Sequence, residues 1–276
     1  MSTNTNPKMS IVVVSCDAYQ DIAAYYLHYL SVNWSDCPYP VAVAMETVDL
    51  HSPVAQTLVC GADTTWTQRA IQAVQAMPGK YILLTVDDLY MSKPVSSAEF
   101  DKVLDFMEKE DIRYYRIPTF HATRQKPVSY PGNDSVEQIP KNRVYGVTFG
   151  SSIWAREELL KVLGNGSRSA WDLENDFSAA AVNAGEGYIE KYVADKRRLL
   201  HSVHMAKGGK WLPDAVKTMN KLGYHDIDYS KRGIVPLATN LHFKVNMVAT
   251  GLCPTRFRKP LKKFLKKLGF QFATEN

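Results

Sequence analysis

The chain has 276 residues, the size of one large domain or two close halves, with 45% apolar and 22% charged residues, 15 Gly and 14 Pro. That excludes a disordered, collagenous or low-complexity protein. The first ten residues are polar and no apolar run approaches the roughly 18 residues a membrane span needs, so neither a standard signal peptide nor a spanning helix is expected. Four scattered cysteines, Cys16, Cys37, Cys60 and Cys253, give no zinc-ribbon or disulfide pattern and suit a reducing, cytoplasmic setting. The formal charge of +5 is concentrated: residues 251–276 hold seven basic side chains and one acid, leaving 26 basic and 27 acidic residues elsewhere. The basic balance therefore belongs to a tail, and nucleic acid is not an expected partner.

In chain order, Ser10 to Ser15 is a β-branched run of the kind buried on both faces of a sheet. Asp21 can cap a helix in which Ile22, Tyr25, Tyr26, Tyr29 and Leu30 share one stripe. Val41 to Met45 reads as a second strand and Thr65 to Met77 as a second amphipathic helix, ended by Pro78-Gly79. Tyr81 to Val86 is the next apolar strand, stopping at Asp87-Asp88, and a third helix opens on a capping box of Ser96 and Glu99 and buries Phe100, Val103, Leu104 and Met107. The alternation implies a mostly parallel, doubly wound sheet. Residues 113–118 and 143–149 read as strands either side of a loop over about 125–141, Arg156 to Leu163 as a short helix, and Gly164 to Ala170 as a turn. Beyond Trp171 no clear period returns until the tail.

Ligands of open parallel sheets bind beyond the carboxyl ends of the strands. After the first strand no G-x-G-x-x-G occurs, and no G-x-x-x-x-G-K-S/T occurs anywhere, which disfavours a dinucleotide or P-loop site. Asp17 and Tyr19 can bond and stack on a base, or form an Asx turn and a core tyrosine. Asp87 and Asp88 repel one another unless relieved, and suit a hard divalent ion, Mg²⁺ or Mn²⁺, bridging to a phosphorylated ligand; one Asp capping a turn while the other is solvated is the alternative. Trp171, Asp172, Glu174 and Asp176 offer a general base or simply the acidic first turn of a helix. His201, His204, Lys207, Gly208, Gly209 and Lys210 offer cations and N–H groups for an anionic leaving group, or a solvated basic loop.

The succession SIVVVSCDAYQD, W-S-D-C-P-Y-P-V, T-W-T-Q-R, YILLTVDDLYMSKPV, IWAREELLKVL and W-D-L-E resembles the bacterial GT-A-like glycosyltransferases of lipopolysaccharide and capsular polysaccharide synthesis, over roughly residues 10–215. The resemblance implies a GT-A-like, Rossmann-related α/β fold in a single domain over 1–250, with a nucleotide-binding half at about 10–110 and an acceptor half at about 111–250. It implies sugar transfer from a nucleotide sugar, a UDP-sugar in the first place, to a glycan or lipid-linked acceptor, with inversion. Asp17, Tyr19, Arg69 and Asp87 then meet the donor, Asp87 and Asp88 stand at the metal-and-diphosphate motif with His204 as a further metal ligand, and Glu174 is the base. V-D-D matches the familiar D-x-D only in part, so Lys207 and Lys210 can take over the charge of a metal.

In the tail, Leu261, Phe264, Leu265 and Leu268 alternate with Lys262, Lys263, Lys266 and Lys267 at helical spacing. Residues 256–270 therefore read as an anchor on an anionic membrane surface, placing the enzyme at the inner face of the plasma membrane, or as a helix docked on the body. Two competing classes are an inactive GT-A-like module that recruits partners to the membrane and a phosphate-ester hydrolase using the Asp pair.

Overall fold

The computed structural model describes residues 7–118, 128–143, 145–183, 191–237, 239–240 and 260. The chain divides into two compact units, Met1–Thr119 with Pro127–His204, and Phe120–Lys126 with Met205–Asn276. The expected tail helix lies outside the described residues.

In the first unit the strands are β1 (Met9–Val14), β2 (Val41–Met45), β3 (Gln56–Val59), β4 (Tyr81–Val86), β5 (Leu89–Met91), β6 (Tyr114–Arg116), β7 (Val128–Tyr130), β8 (Asn133–Gln138), β9 (Ser152–Ala155), β10 (Tyr192–Asp195) and β11 (Ser202–His204). The helices are α1 (Gln20–Asn33), α2 (Trp66–Ala76), α3 (Ser97–Lys109), α4 (Arg156–Leu163) and α5 (Ala170–Asn183). Nine of these strands form one sheet in the order β3-β2-β1-β4-β9-β6-β10-β8-β7. β1 pairs in parallel with β2 and β4, β2 with β3, and β6 with β10; β9 runs against β4 and β6, and β8 against β10 and β7. Seven of the nine thus point the same way, as the alternation of elements implies.

The six residues of β1 are all buried, which is why it reads as an unbroken apolar run and occupies a central position. Its alternate side chains serve two helical layers. Val12 and Val14 join Ala70, Ala73 and Val74 of α2, Leu159 of α4 and Leu173 of α5 in one core. Ile11 and Val13 point to the other face, where Trp34, at the end of α1, and Phe100 of α3 lie 4.5 Å apart between ring centres.

Several expectations need correction. Gln56–Val59 is a strand the sequence did not reveal: it lies at the sheet edge and has no buried residue, so it lacks the apolar signal used to find its neighbours. The loop expected at 125–141 contains the β7–β8 hairpin, turning at Pro131-Gly132. The strand expected at 143–149 is a series of turns and bends in its described residues; Val147 and Phe149 are buried all the same, so their apolarity reported burial and not extension. The strand in this region is β9. Asp21 falls inside the first turn of α1, which is preceded by a 3₁₀ turn at Asp17–Tyr19 and capped at Tyr19. The box at Ser96 is half formed: its hydroxyl accepts from Glu99 N–H, while the Glu99 carboxylate pairs with Lys102 and Arg197.

The second unit contains the hairpin β12 (Ala206–Lys207) and β13 (Lys210–Trp211) and helix α6 (Pro213–Lys221), which has Pro in its first turn. No helix among the described residues is long and apolar enough to cross a membrane.

Candidate functional site

The carboxyl ends of β1 and β4 carry Asp17, Asp87 and Asp88, and the end of β2 adds Glu46. Asp17 follows β1, and its carboxylate accepts the backbone N–H groups of Glu46 (3.2 Å), Thr47 (3.0 Å) and Val48 (3.1 Å) and the Thr47 hydroxyl. In return Asp17 N–H donates to Glu46 Oε2 at 3.1 Å. Burial opposes ionisation of Asp17, but the Thr47, Val48 and Glu46 donors outweigh it and hold the carboxyl below its usual range. Asp17 is therefore the fastener of the loop after β2, and Tyr19, half-buried, closes the 3₁₀ turn through its N–H to Cys16 O at 2.9 Å.

Arg69 projects from α2 and is 5% exposed. Its Nη1 bonds Glu46 Oε1 at 3.0 Å and the Thr64 carbonyl, so Glu46 joins the Asp17 loop to the start of α2. The half-buried Cys16 thiol is pushed up by burial and by the Asp87 and Glu46 charges, with Arg69 acting against them. It stays protonated.

Asp87 and Asp88 form the two-residue turn between β4 and β5. Asp87 is 7% exposed and accepts the Ser15 hydroxyl, which fixes it to the end of β1. Asp88 Oδ2 lies 3.0 Å from His204 Nε2. β11 pairs with β5 so that His204 stands opposite Leu89, and this register delivers the imidazole to the acidic turn. Among the described residues no three His, Cys, Asp or Glu groups converge as a metal cluster. Asp88 and His204 would supply two ligands to a hard divalent ion, which would take the rest of its shell from water and phosphate oxygens.

Glu174 lies on α5, and its Oε1 accepts Phe149 N–H at 2.7 Å. Burial raises its pKa, against the Phe149 bond and the Arg116 charge. The segment that holds it also reaches β4: Ser151 Oγ is 3.1 Å from Thr85 Oγ1, and a Cβ on Gly150 would sit 3.6 Å from Leu89 Cδ1. Residues 149–151 thus link the proposed base to the strand end that carries the acidic turn. A cavity of about 350 Å³ between α3 and the turn at Pro131 is lined by none of these residues.

Lys207 and Lys210 occupy the hairpin of the second unit, either side of Gly208 and Gly209, whose φ values of 55° and 76° need glycine. Both lysines are exposed, and burial of its surroundings lowers the Lys207 pKa.

The residues missed in the sequence are Glu46, Thr47 and Arg116. Glu46-Thr47 follows β2 directly, so the rule applied to the other strand ends finds them. Arg116 carries no local signal, because its partner Tyr145 is 29 residues away.

No protein-family model matches the chain, and no curated protein matches it. Solved structures do. The bifunctional IspDF of Campylobacter jejuni is 13% identical with a TM-score of 0.38, covering 66% of this chain and 48% of that one. TarS of S. aureus is 12% identical with a TM-score of 0.47, covering 88% and 44%; a structure of TarS 1-349 in complex with UDP-GlcNAc has the same identity and TM-score, covering 88% and 74%. The chain spans about half the length of the first two. Likenesses of this size carry no argument about activity.

Proposed function

We propose that the chain is a GT-A-like glycosyltransferase that moves a sugar from a nucleotide sugar, in the first place a UDP-sugar, to a hydroxyl of a glycan or lipid-linked acceptor in bacterial surface polysaccharide synthesis, with inversion at the anomeric carbon. The observation that carries the reading is the link through residues 149–151 between a half-buried carboxylate of raised pKa, Glu174, and the Asp87-Asp88 turn at the end of a parallel strand.

In the reaction the bond between the anomeric carbon and the diphosphate oxygen breaks and the acceptor oxygen bonds to that carbon from the opposite face. Glu174 takes the hydroxyl proton, and the electron pair leaves with the diphosphate. Phe149 N–H holds Oε1 and leaves Oε2 for the acceptor hydroxyl. Burial raises the basicity of the carboxylate towards the working range of a general base, worth roughly 10²–10⁴ in rate. Asp17 fastens residues 46–48 beside the nucleotide, Arg69 braces Glu46, and Ser15 keeps Asp87 aligned. A divalent ion held by Asp88 and His204 would neutralise charge on the leaving diphosphate. The mechanism uses no group of the second unit.

Purified full-length protein, offered a panel of UDP- and GDP-sugars with Mg²⁺ or Mn²⁺, tests the reading. Release of nucleoside diphosphate from at least one donor is expected, with kcat lower by about 10²–10⁴ in Glu174→Gln and donor KM unchanged. Equal inertness of wild type, Glu174→Gln and Asp88→Asn would favour a non-catalytic binding module, and metal-dependent phosphate release from simple esters would favour a hydrolase.

A further inference from the structure

Trp171, Glu174 and Ser178 of α5 stand at i, i+3 and i+7, so they lie on one stripe of the helix with Glu174 in the middle, about one turn or ~5 Å from each neighbour. The two ends of this stripe carry exposed aromatic rings. Trp171 is 68% exposed, whereas Trp34, Trp154 and Trp211 are each 1% exposed or less. At the other end the buried Ser178 accepts the N–H of Tyr145 at 2.9 Å, and Arg116 Nη1 donates to Tyr145 O at 2.9 Å. Fixed at both backbone groups, Tyr145 adopts φ 53°, a conformation a bulky side chain seldom takes, and is 41% exposed. Folding has thus left an indole and a phenol in solvent on either side of the carboxylate assigned as the base.

The surroundings say what such rings would meet. Asp172 on the next position is exposed, and Asp176 is paired with Arg168 at 2.8 Å. Polar and charged groups interleave with the two rings, which does not suit an acyl chain or the apolar centre of a protein interface. It does suit a ligand with apolar C–H faces and a hydroxyl rim, since the electron-rich face of an aromatic ring attracts weakly positive C–H groups and the rim can bond to the flanking side chains.

We propose that Trp171 and Tyr145 form a stacking rail for neutral sugar rings, and that a glycan of about two or three rings lies along α5 across Glu174. That this glycan is the acceptor rests on the transferase reading above. That sugar binds here rests on the rail alone.

The test is saturation-transfer NMR on the full-length protein with maltotriose, cellotriose and chitotriose at millimolar concentration, comparing wild type, Trp171→Phe and Trp171→Ala, with UDP binding measured in parallel. Transfer to the ring C–H protons of at least one trisaccharide is expected in wild type and Trp171→Phe, with binding about tenfold weaker in Trp171→Ala and equal UDP affinity in all three. No transfer from any trisaccharide, or equal binding by the alanine variant, would overturn the proposal. So would a dimer in sedimentation that Trp171→Ala converts to monomer, because the stripe would then belong to a second copy of the chain. Sugar binding as expected without any nucleotide-sugar binding or turnover would leave the rail standing and remove the transferase reading.

Discussion

Glu174 carries opposing demands. Burial raises its pKa, so between the ordinary glutamate value of about 4.3 and the raised folded value the native state holds a proton that the unfolded chain has released, and stability falls as pH rises through that window. Above the raised value the penalty is fully present. Glu174→Gln, which can still accept the Phe149 N–H, should therefore melt higher than wild type at pH 7, and the difference should vanish below about pH 4. The same shift should make kcat fall as pH drops through the raised value, because the base becomes protonated. A Gln variant that melts lower than wild type at neutral pH would show that Glu174 is ionised at no cost and that burial does not tune it. Asp17 shows the reverse: its donors favour the charged form, so its contribution is present above the unfolded Asp value and is lost as pH falls through the folded one.

At the scale of elements, α2 and the loop before α5 are joined at one point. Thr65 caps α2 in a full capping box with Gln68, and its hydroxyl donates to Gly166 O at 2.7 Å. Gly166 has φ 78°, and a Cβ there would lie 2.7 Å from Gln68 Cγ and 3.3 Å from Ile71 Cδ1. Gln68 cannot simply swing away, since its Oε1 accepts Thr65 N–H at 2.8 Å. Gly166→Ala should cost about 1–3 kcal/mol by denaturant titration, more than the ~1 kcal/mol expected for loss of the cap in Thr65→Ala; equal stability of Gly166→Ala and wild type would show that the loop is not pinned. The sequence made Thr65 to Met77 legible because cap, stripe and Pro-Gly stop agree. It hid the Thr65–Gly166 bond, as it hid Arg116–Tyr145, because contacts 101 and 29 residues apart leave no trace in local periodicity. It likewise offered W-D-L-E both as a helix start and as a base, and the structure shows the first: Asp172 accepts the Ser169 N–H and hydroxyl at the first turn of α5, while Glu174 is a half-buried acid bonded to Phe149 N–H.

For the whole molecule, the parallel half of the sheet was readable because strands buried on both faces announce themselves as apolar runs, and the strand-end rule then pointed to Asp17 and to Asp87-Asp88. The edge elements β3, β7 and β8 were not, since half-exposed strands carry mixed polarity. The tail, read from the sequence as a membrane anchor or as a helix docked on the body, is proposed as the anchor: deletion of residues 256–270 should abolish sedimentation with anionic vesicles and leave UDP affinity unchanged, and unaltered sedimentation would remove the membrane from the account. The central claim is that the acidic turn and Glu174 serve one bound donor. A crystal structure with UDP and Mn²⁺ tests it most directly. The diphosphate should lie against Asp88 and His204 with its sugar side open to Glu174, whereas a nucleotide seated elsewhere, or walled off from Glu174, would contradict it.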